Sequence, residues 1–310
     1  MKPSHRHLAL AALLACVAAL VAACGGSSDS LSGSKGASSK GAGGGTITIG
    51  SQDYYSNEII AELYAQALER AGFKVKRDLR IGQREVYIKE IEDGSIDLFP
   101  EYTGNLLQYY DKTTKATSAD DVYGELKRAL PDGLEVLDQS PATDQDSYNV
   151  TSAFAKDHDV ASIADLASVK QQLTLGGNSE LKTRPYGPAG LKRVYSVDVK
   201  FTPIEDNGGP LTLKALKEDD VQLVDIYSAD PKIAKNDLVT LDDPKGLFLA
   251  SHVVPVVSSR VTSKMADVID RVSAALTPED LVALNVKSVD DKQSASRIAA
   301  DWLKQHDLGS

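Results

Sequence analysis

Cysteine is nearly missing from this chain. It has two, Cys16 and Cys24, and both precede the region that can fold. The body that follows therefore holds no disulfide and no thiolate metal centre. Basic residues are outnumbered, 34 Lys and Arg against 44 Asp and Glu, for a net charge of −10. That balance argues against a nucleic-acid binder, which needs a basic face. Beyond the first residues the histidines are His158, His252 and His306. Their separations are not those of metal ligands, so no metal is expected. Asp219-Asp220 and Asp242-Asp243 lack the interleaved oxygens and the glycine of a calcium loop. Asn207-Gly208-Gly209-Pro210 is not a phosphate-binding loop, and no Ser sits in a nucleophile elbow. No cofactor and no catalytic set is expected, and no long internal repeat is visible.

What is present begins at the N-terminus. Lys2 and Arg6 precede an apolar run, Leu8 to Leu20, that is too short to span a bilayer comfortably. Val21-Ala22-Ala23-Cys24 follows, so residues 1–23 have the layout of a secretory signal. A Cys directly after small residues resembles the lipobox of bacterial lipoproteins, in which the thiol is acylated and becomes the new N-terminus. Residues 24–45 are mostly Gly and Ser, a composition that cannot bury a core and behaves as a tether. Together these predict an extracytoplasmic protein anchored to the membrane through Cys24.

The body is organised around Ile96-Asp97-Leu98-Phe99-Pro100-Glu101-Tyr102-Thr103-Gly104-Asn105. Ile96, Leu98 and Phe99 read as a buried strand, and Pro100 is expected to end its pairing because it has no N–H. Tyr102 is then presented at the carboxyl end of a strand and the start of a helix, where ligands sit in open α/β sheets. From Thr46 onward the pattern reads β-α-β-α-β, which predicts a mainly parallel sheet flanked by helices. The alternation repeats beyond Asp146. Tyr148 to Phe154 is expected to be extended, and Val253 to Val257 is expected to carry the chain back. The tail is helical and contains the single tryptophan, Trp302. The predicted fold is thus α/β and two-lobed, with lobe 1 from 46–145 and 255–310 and lobe 2 from 146–254. Two crossings join the lobes, and a ligand cleft lies between them.

In this order the motifs resemble the substrate-binding proteins of ABC importers for glycine betaine, choline and related osmoprotectants, which have a type II periplasmic-binding-protein fold. The resemblance covers 46–310. It rests on Gly94-Ser95-Ile96-Asp97 with Pro100-Glu101-Tyr102-Thr103-Gly104, then Asp146-Ser147-Tyr148 and Thr183-Arg184-Pro185. Lys214-Ala215-Leu216 and Asp225-Ile226-Tyr227-Ser228-Ala229-Asp230 complete it. It implies a non-enzymatic, monomeric receptor that delivers a small solute to a membrane permease. A quaternary ammonium has no N–H, so charge and methyl surface must hold it, and tyrosine faces serve both. The resemblance implies a box of Tyr102, Tyr148 and Tyr227, with Asp146 near the cation through its backbone carbonyl. Arg184 is implied at the carboxylate of a zwitterion, with Gln52 and Asn105 as further polar contacts. Many members have a fourth tyrosine where this chain has Ser251, beside His252.

That departure leaves a bulkier or uncharged, for instance phenolic, solute as an alternative in the same receptor; the rival from another class is an enzyme on the same scaffold, which would need a convergent acid, base or nucleophile in the cleft. Tyr54, Tyr55, Tyr64, Tyr87, Tyr109, Tyr110 and Tyr195 are expected to serve packing.

Overall fold

The computed structural model describes residues 45–308. Cys24, the signal and most of the tether lie outside them. The first half runs β1 (Ile47–Gly50), α1 (Tyr55–Arg70), β2 (Val75–Asp78), α2 (Arg84–Glu92), β3 (Leu98–Tyr102), α3 (Thr103–Tyr110), α4 (Ala119–Ala129) and β4 (Leu134–Val136). The middle comprises β5 (Asp146–Thr151), α5 (Ser152–His158), β6 (Leu173–Gly177), α6 (Pro188–Tyr195), β7 (Val199–Pro203), α7 (Pro210–Lys217), β8 (Leu223–Tyr227), α8 (Lys232–Lys235) and β9 (Leu238–Thr240). The end is β10 (Val253–Ser258), α9 (Ser263–Ala275), α10 (Pro278–Val289) and α11 (Ala295–Gln305).

Two five-stranded sheets result, ordered β2-β1-β3-β10-β4 and β7-β6-β8-β5-β9. Each is parallel at one side and antiparallel around one strand: β10, the last of the first sheet, against β3 and β4, and β5, the first of the second, against β8 and β9. The molecule is two-lobed, one lobe to each sheet. Between the lobes the chain segments run side by side. Val253 N donates to Ala142 O at 2.9 Å, Ser140 N donates to Val253 O at 2.8 Å, and Thr143 bridges His252. α9, α10 and α11 pack on α1 around Trp302, in one apolar cluster with Ile59, Leu63, Leu68 and Leu284.

The local signals explain the element boundaries. Thr277 and Asp280 form a capping box at α10, and Ser118 caps α4 by accepting from Asp121 N. Proline occupies the first turn of α6, α7 and α10, where no N–H is needed. Three expectations change. Pro100 does not end the strand: β3 continues to Tyr102, and Pro100 stands opposite Pro255 of β10. Each proline's carbonyl takes a donor from outside that pair, Asn57 Nδ2 at 2.8 Å and Leu137 N at 3.0 Å, so no ladder partner is left waiting. The run 253–257 is not a crossing but β10 itself, a strand of the first sheet. The extended stretch from Tyr148 stops at Thr151, whose side chain accepts from Phe154 N and starts α5.

Candidate functional site

β3 passes into α3 with no loop, so Tyr102 is both the last strand residue and the helix N-cap. Gly104 makes this junction possible. A Cβ there would stand 2.8 Å from the carbonyl oxygens of Leu249 and Ala250, the segment that leads into β10. Ser251 serves the same junction. Its hydroxyl accepts from Gly104 N at 3.2 Å and Asn105 N at 3.4 Å and donates to Asn105 Oδ1 at 2.8 Å. The residue in the place of a fourth tyrosine is therefore engaged in holding α3.

Tyr102 is buried, and its hydroxyl makes a short hydrogen bond with that of Tyr54. Tyr54 leans on Tyr227 from the other lobe, ring centroids 4.8 Å apart at 31°. Three phenols thus form a contiguous cluster across the two lobes. Behind it lies Asp144, 2% exposed, on the segment between the lobes. Its Oδ2 accepts from Tyr54 OH at 3.1 Å and Ser56 Oγ at 2.8 Å, and its Oδ1 accepts from Ala229 N at 3.1 Å. Burial pushes the Asp144 carboxyl up to about 6, against the pull of these donors and with Asp230 adding to the rise. Tyr55 lies at the edge, with Lys232 Nζ 5.1 Å from its ring centre.

A more polar region adjoins the phenols. Asp146 pairs in register with Tyr227, and Asn105 Nδ2 of the first lobe donates to its Oδ2 in a short bond. The same Nδ2 lies 2.9 Å from Tyr186 OH, which also accepts from Arg184 Nη1 at 3.2 Å. Arg184 crosses to the first lobe through Nη2, 3.3 Å from both Gln83 Oε1 and Glu85 Oε2. A second bridge runs through Asn207, whose Nδ2 donates to Asp53 O at 3.0 Å while its Oδ1 accepts from Gln83 Nε2. A cavity of about 130 Å³ opens between the lobes here, lined by Arg84, Asn105, Lys112, Arg184 and Tyr186 among others.

The predicted residues are not all together. Tyr102 and Tyr227 share the phenol cluster; Asn105, Asp146 and Arg184 share the polar region. Tyr148 is buried in the second lobe's core, its ring 5.0 Å from Phe248 and its hydroxyl donating to Tyr186 O. Gln52 is buried at the carboxyl end of β1; its backbone N donates to Asn57 Oδ1 at 2.8 Å, while its Nε2 has no partner among the described residues. Tyr186 and Asp144 were not singled out by the sequence, Tyr54 was expected to serve packing, and Asp225 was quoted only within a motif. Tyr54 carried a usable signal, because it lies in the loop after β1, at the same carboxyl edge as Tyr102. Among the described residues no group of acidic, His or Cys side chains could hold a metal ion.

Comparison with known proteins places this architecture. The family profile of the substrate binding domain of ABC-type glycine betaine transport systems matches residues 45–305. The Escherichia coli glycine betaine-binding protein YehZ is 24% identical over 274 residues, 84% of this chain and 90% of that protein. A Pseudomonas aeruginosa glycine-betaine-binding protein is 25% identical over 277 residues, 85% and 88% of the two chains. The crystal structure of a glycine betaine/carnitine/choline ABC transporter protein shares the fold, with a TM-score of 0.68 at 20% identity. It covers 85% of this chain and 100% of that one. The chain therefore belongs to the substrate-binding proteins of the glycine betaine/choline ABC importer family: it is an extracytoplasmic, membrane-associated receptor, not an enzyme, whose partners are a small solute and the importer's permease.

Proposed function

We propose that this receptor closes its lobes on a quaternary-ammonium osmoprotectant, glycine betaine, choline or a close analogue. The observation that carries the reading is the phenol cluster of Tyr54, Tyr102 and Tyr227, contributed by both lobes and backed by the buried carboxylates Asp144 and Asp146. Each tyrosine face attracts a methylated cation by about 0.5–2 kcal/mol, more as water is excluded. The carboxylates behind supply the counter-charge that a desolvated cation needs. Closure is what completes the cluster, since Tyr54 and Tyr227 meet only across the cleft. Arg184 suits the anionic end of a zwitterion: its Nη2 already holds the lobes together, and its buried Nε has no partner among the described residues. Tyr148 supports the site from below, holding the Tyr186 backbone. The names of the E. coli and P. aeruginosa relatives point to the same class of solute.

Calorimetric titration with glycine betaine, choline and carnitine tests this. Micromolar or tighter binding of at least one is expected, and Tyr227→Ala should weaken it by about 1–2 kcal/mol, roughly tenfold. Binding of none of them would end the reading, and binding of phenolic solutes alone would replace it with an uncharged aromatic ligand.

We infer also that Cys24, outside the described residues, carries a lipid. Cys24→Ser should move the protein from the membrane to the soluble fraction; retention on the membrane would rule out acylation there.

A further inference from the structure

The turn Asn207-Gly208-Gly209-Pro210 lends no side chain to the phenol cluster, yet it reaches the first lobe. Asn207 is left-handed, with φ 53°, and Gly208 follows with φ 71°. A Cβ on Gly208 would stand 3.2–3.3 Å from Ile226 and from the Asp225 carbonyl oxygen, so the turn lies close on β8. Asn178, just beyond β6, fixes the Asn207 side chain. Asn207 N donates to Asn178 Oδ1 at 3.0 Å, and Asn178 Nδ2 donates to Asn207 Oδ1 at 2.7 Å. With its amide oriented by its own lobe, Asn207 offers Nδ2 to Asp53 O and Oδ1 to Gln83 Nε2, both across the cleft.

Gln83 is the first lobe's half of this contact. It is the N-cap of α2 and 9% exposed, but its side chain makes no cap hydrogen bond. Only its backbone serves the helix, with Val86 N and Tyr87 N donating to its carbonyl oxygen at 2.9 and 3.3 Å. Both ends of its amide turn to the second lobe: Nε2 donates to Asn207, and Oε1 accepts from Arg184 Nη2 at 3.3 Å. Glu85, two residues on, takes the same Nη2 at 3.3 Å and adds an ion pair. Arg184, Asn207 and Tyr227 border one space of about 10 Å³, room for no more than a water-sized group. The bonds to Gln83 therefore close directly over the second lobe's phenol, and every donor and acceptor in the set belongs to the protein.

We propose that Gln83 is the hub of a closure latch: it grips Asn207 and Arg184 when the lobes meet, and so sets the open–closed balance for every solute alike. Its side-chain bonds exist in one of the two states only, because opening returns the amide to water. The net gain from each such bond is modest, roughly a factor of several in an equilibrium constant, and together they make about tenfold. The apparent affinity of a solute scales with the fraction of receptor able to close on it. The latch is thus a common multiplier, whereas the phenols discriminate between solutes. It acts whatever solute the cleft takes.

Spin labels on Lys89 and Lys214, exposed residues of α2 and α7 on opposite lobes, read the open and closed populations without solute. The full chain is used, with Cys16→Ser and Cys24→Ser so that only the labels react. A closed population is expected, and Gln83→Ala should lower the closed-to-open ratio about tenfold. Asn207→Gly keeps the left-handed turn and should do the same, which covers a Gln83 variant that does not fold. Calorimetry with glycine betaine and choline should then show Gln83→Ala weakening both by the same factor, about tenfold. A purely structural role for Gln83 would lower the unfolding temperature and leave the population ratio alone. No closed population in the unaltered protein, or one unchanged in both variants, would overturn the proposal whatever solute binds. Losses that differ by more than about threefold between the two solutes would also overturn it, by making Gln83 a solute contact. If neither solute binds, the quaternary-ammonium reading falls, and the distance measurement still decides the latch.

Discussion

The two walls of the cleft bury acidic groups in opposite ways. On the first lobe Glu101 is fully buried, and four donors close on it. Arg84 Nε and Nη2 each lie 2.8 Å from its two oxygens, Tyr87 OH lies 2.6 Å away, and Tyr102 N lies 2.9 Å away. On the second lobe Asp146 and Asp225 share one face of the β5–β8 pair, the Oδ1 of each meets no donor among the described residues, and the Arg184 Nη atoms are engaged elsewhere. The first arrangement has its charge and hydrogen bonds balanced within the protein, so it can fix the position of Tyr102 whether or not solute is bound. The second is balanced by a proton: burial and the charge of Asp146 hold the Asp225 carboxyl well above the usual carboxylate range. A buried carboxylate that meets donors and a cation can stay charged, whereas one beside another carboxylate is driven towards its neutral form.

The sharpest break of this contrast is a pair of isosteric changes. Glu101→Gln leaves Arg84 buried, charged and without its counter-ion. It should cost about 3–5 kcal/mol of unfolding free energy, the usual penalty for orphaning one member of a buried pair. Asp225→Asn replaces a carboxyl whose charged form is disfavoured by burial and by Asp146 with a neutral group of the same size, and should be neutral or stabilising. Urea unfolding of the two variants reads both effects. Equal losses in the two would mean that both walls are scaffold.

Sequence periodicity made the α/β alternation, the two-lobed order and the helical tail legible, because apolar spacing and caps are local. The junction at Tyr102 was legible for the same reason: a buried strand run, then Thr-Gly-Asn. Pro100 misled because a local rule about a missing N–H was applied alone. What relieves it, the amide of Asn57 and the backbone of Leu137, comes from other elements. Tyr54 was assigned to packing because nothing local distinguishes a packed tyrosine from one that meets Tyr227 across the cleft. Asp225 was quoted only as part of a motif. Its significance depends on strand register with β5, nearly 80 residues earlier, and on which oxygens stay unbonded. Neither can be read along the chain. Ser251 shows the converse: its identity was clear, but its task as a cap on α3 needed the return segment in place.

Asp144 lies between the two cases and gives the smaller, pH-dependent test. It has hydrogen-bond donors, as Glu101 does, but no cation among its partners in the described residues, as with the second wall. Its carboxyl therefore rises from an ordinary 3.8 to about 6. The sign follows from proton counting. Between about pH 4 and pH 6 the folded protein holds a proton that the unfolded chain has released, so stability falls as pH rises through that window. Below it the penalty is absent, and above it the penalty is constant at up to about 3 kcal/mol. Asp144→Asn removes the titration, so its stability relative to the unaltered protein should improve steadily from pH 4 to pH 6.5 and then level off. The readout is this slope, since the lost acceptor for Tyr54 shifts the whole curve without bending it. A difference that stays flat across the window would mean that Asp144 is already neutralised within the protein, and the contrast between balanced and unbalanced carboxylates would then begin at Asp146, not at the segment between the lobes.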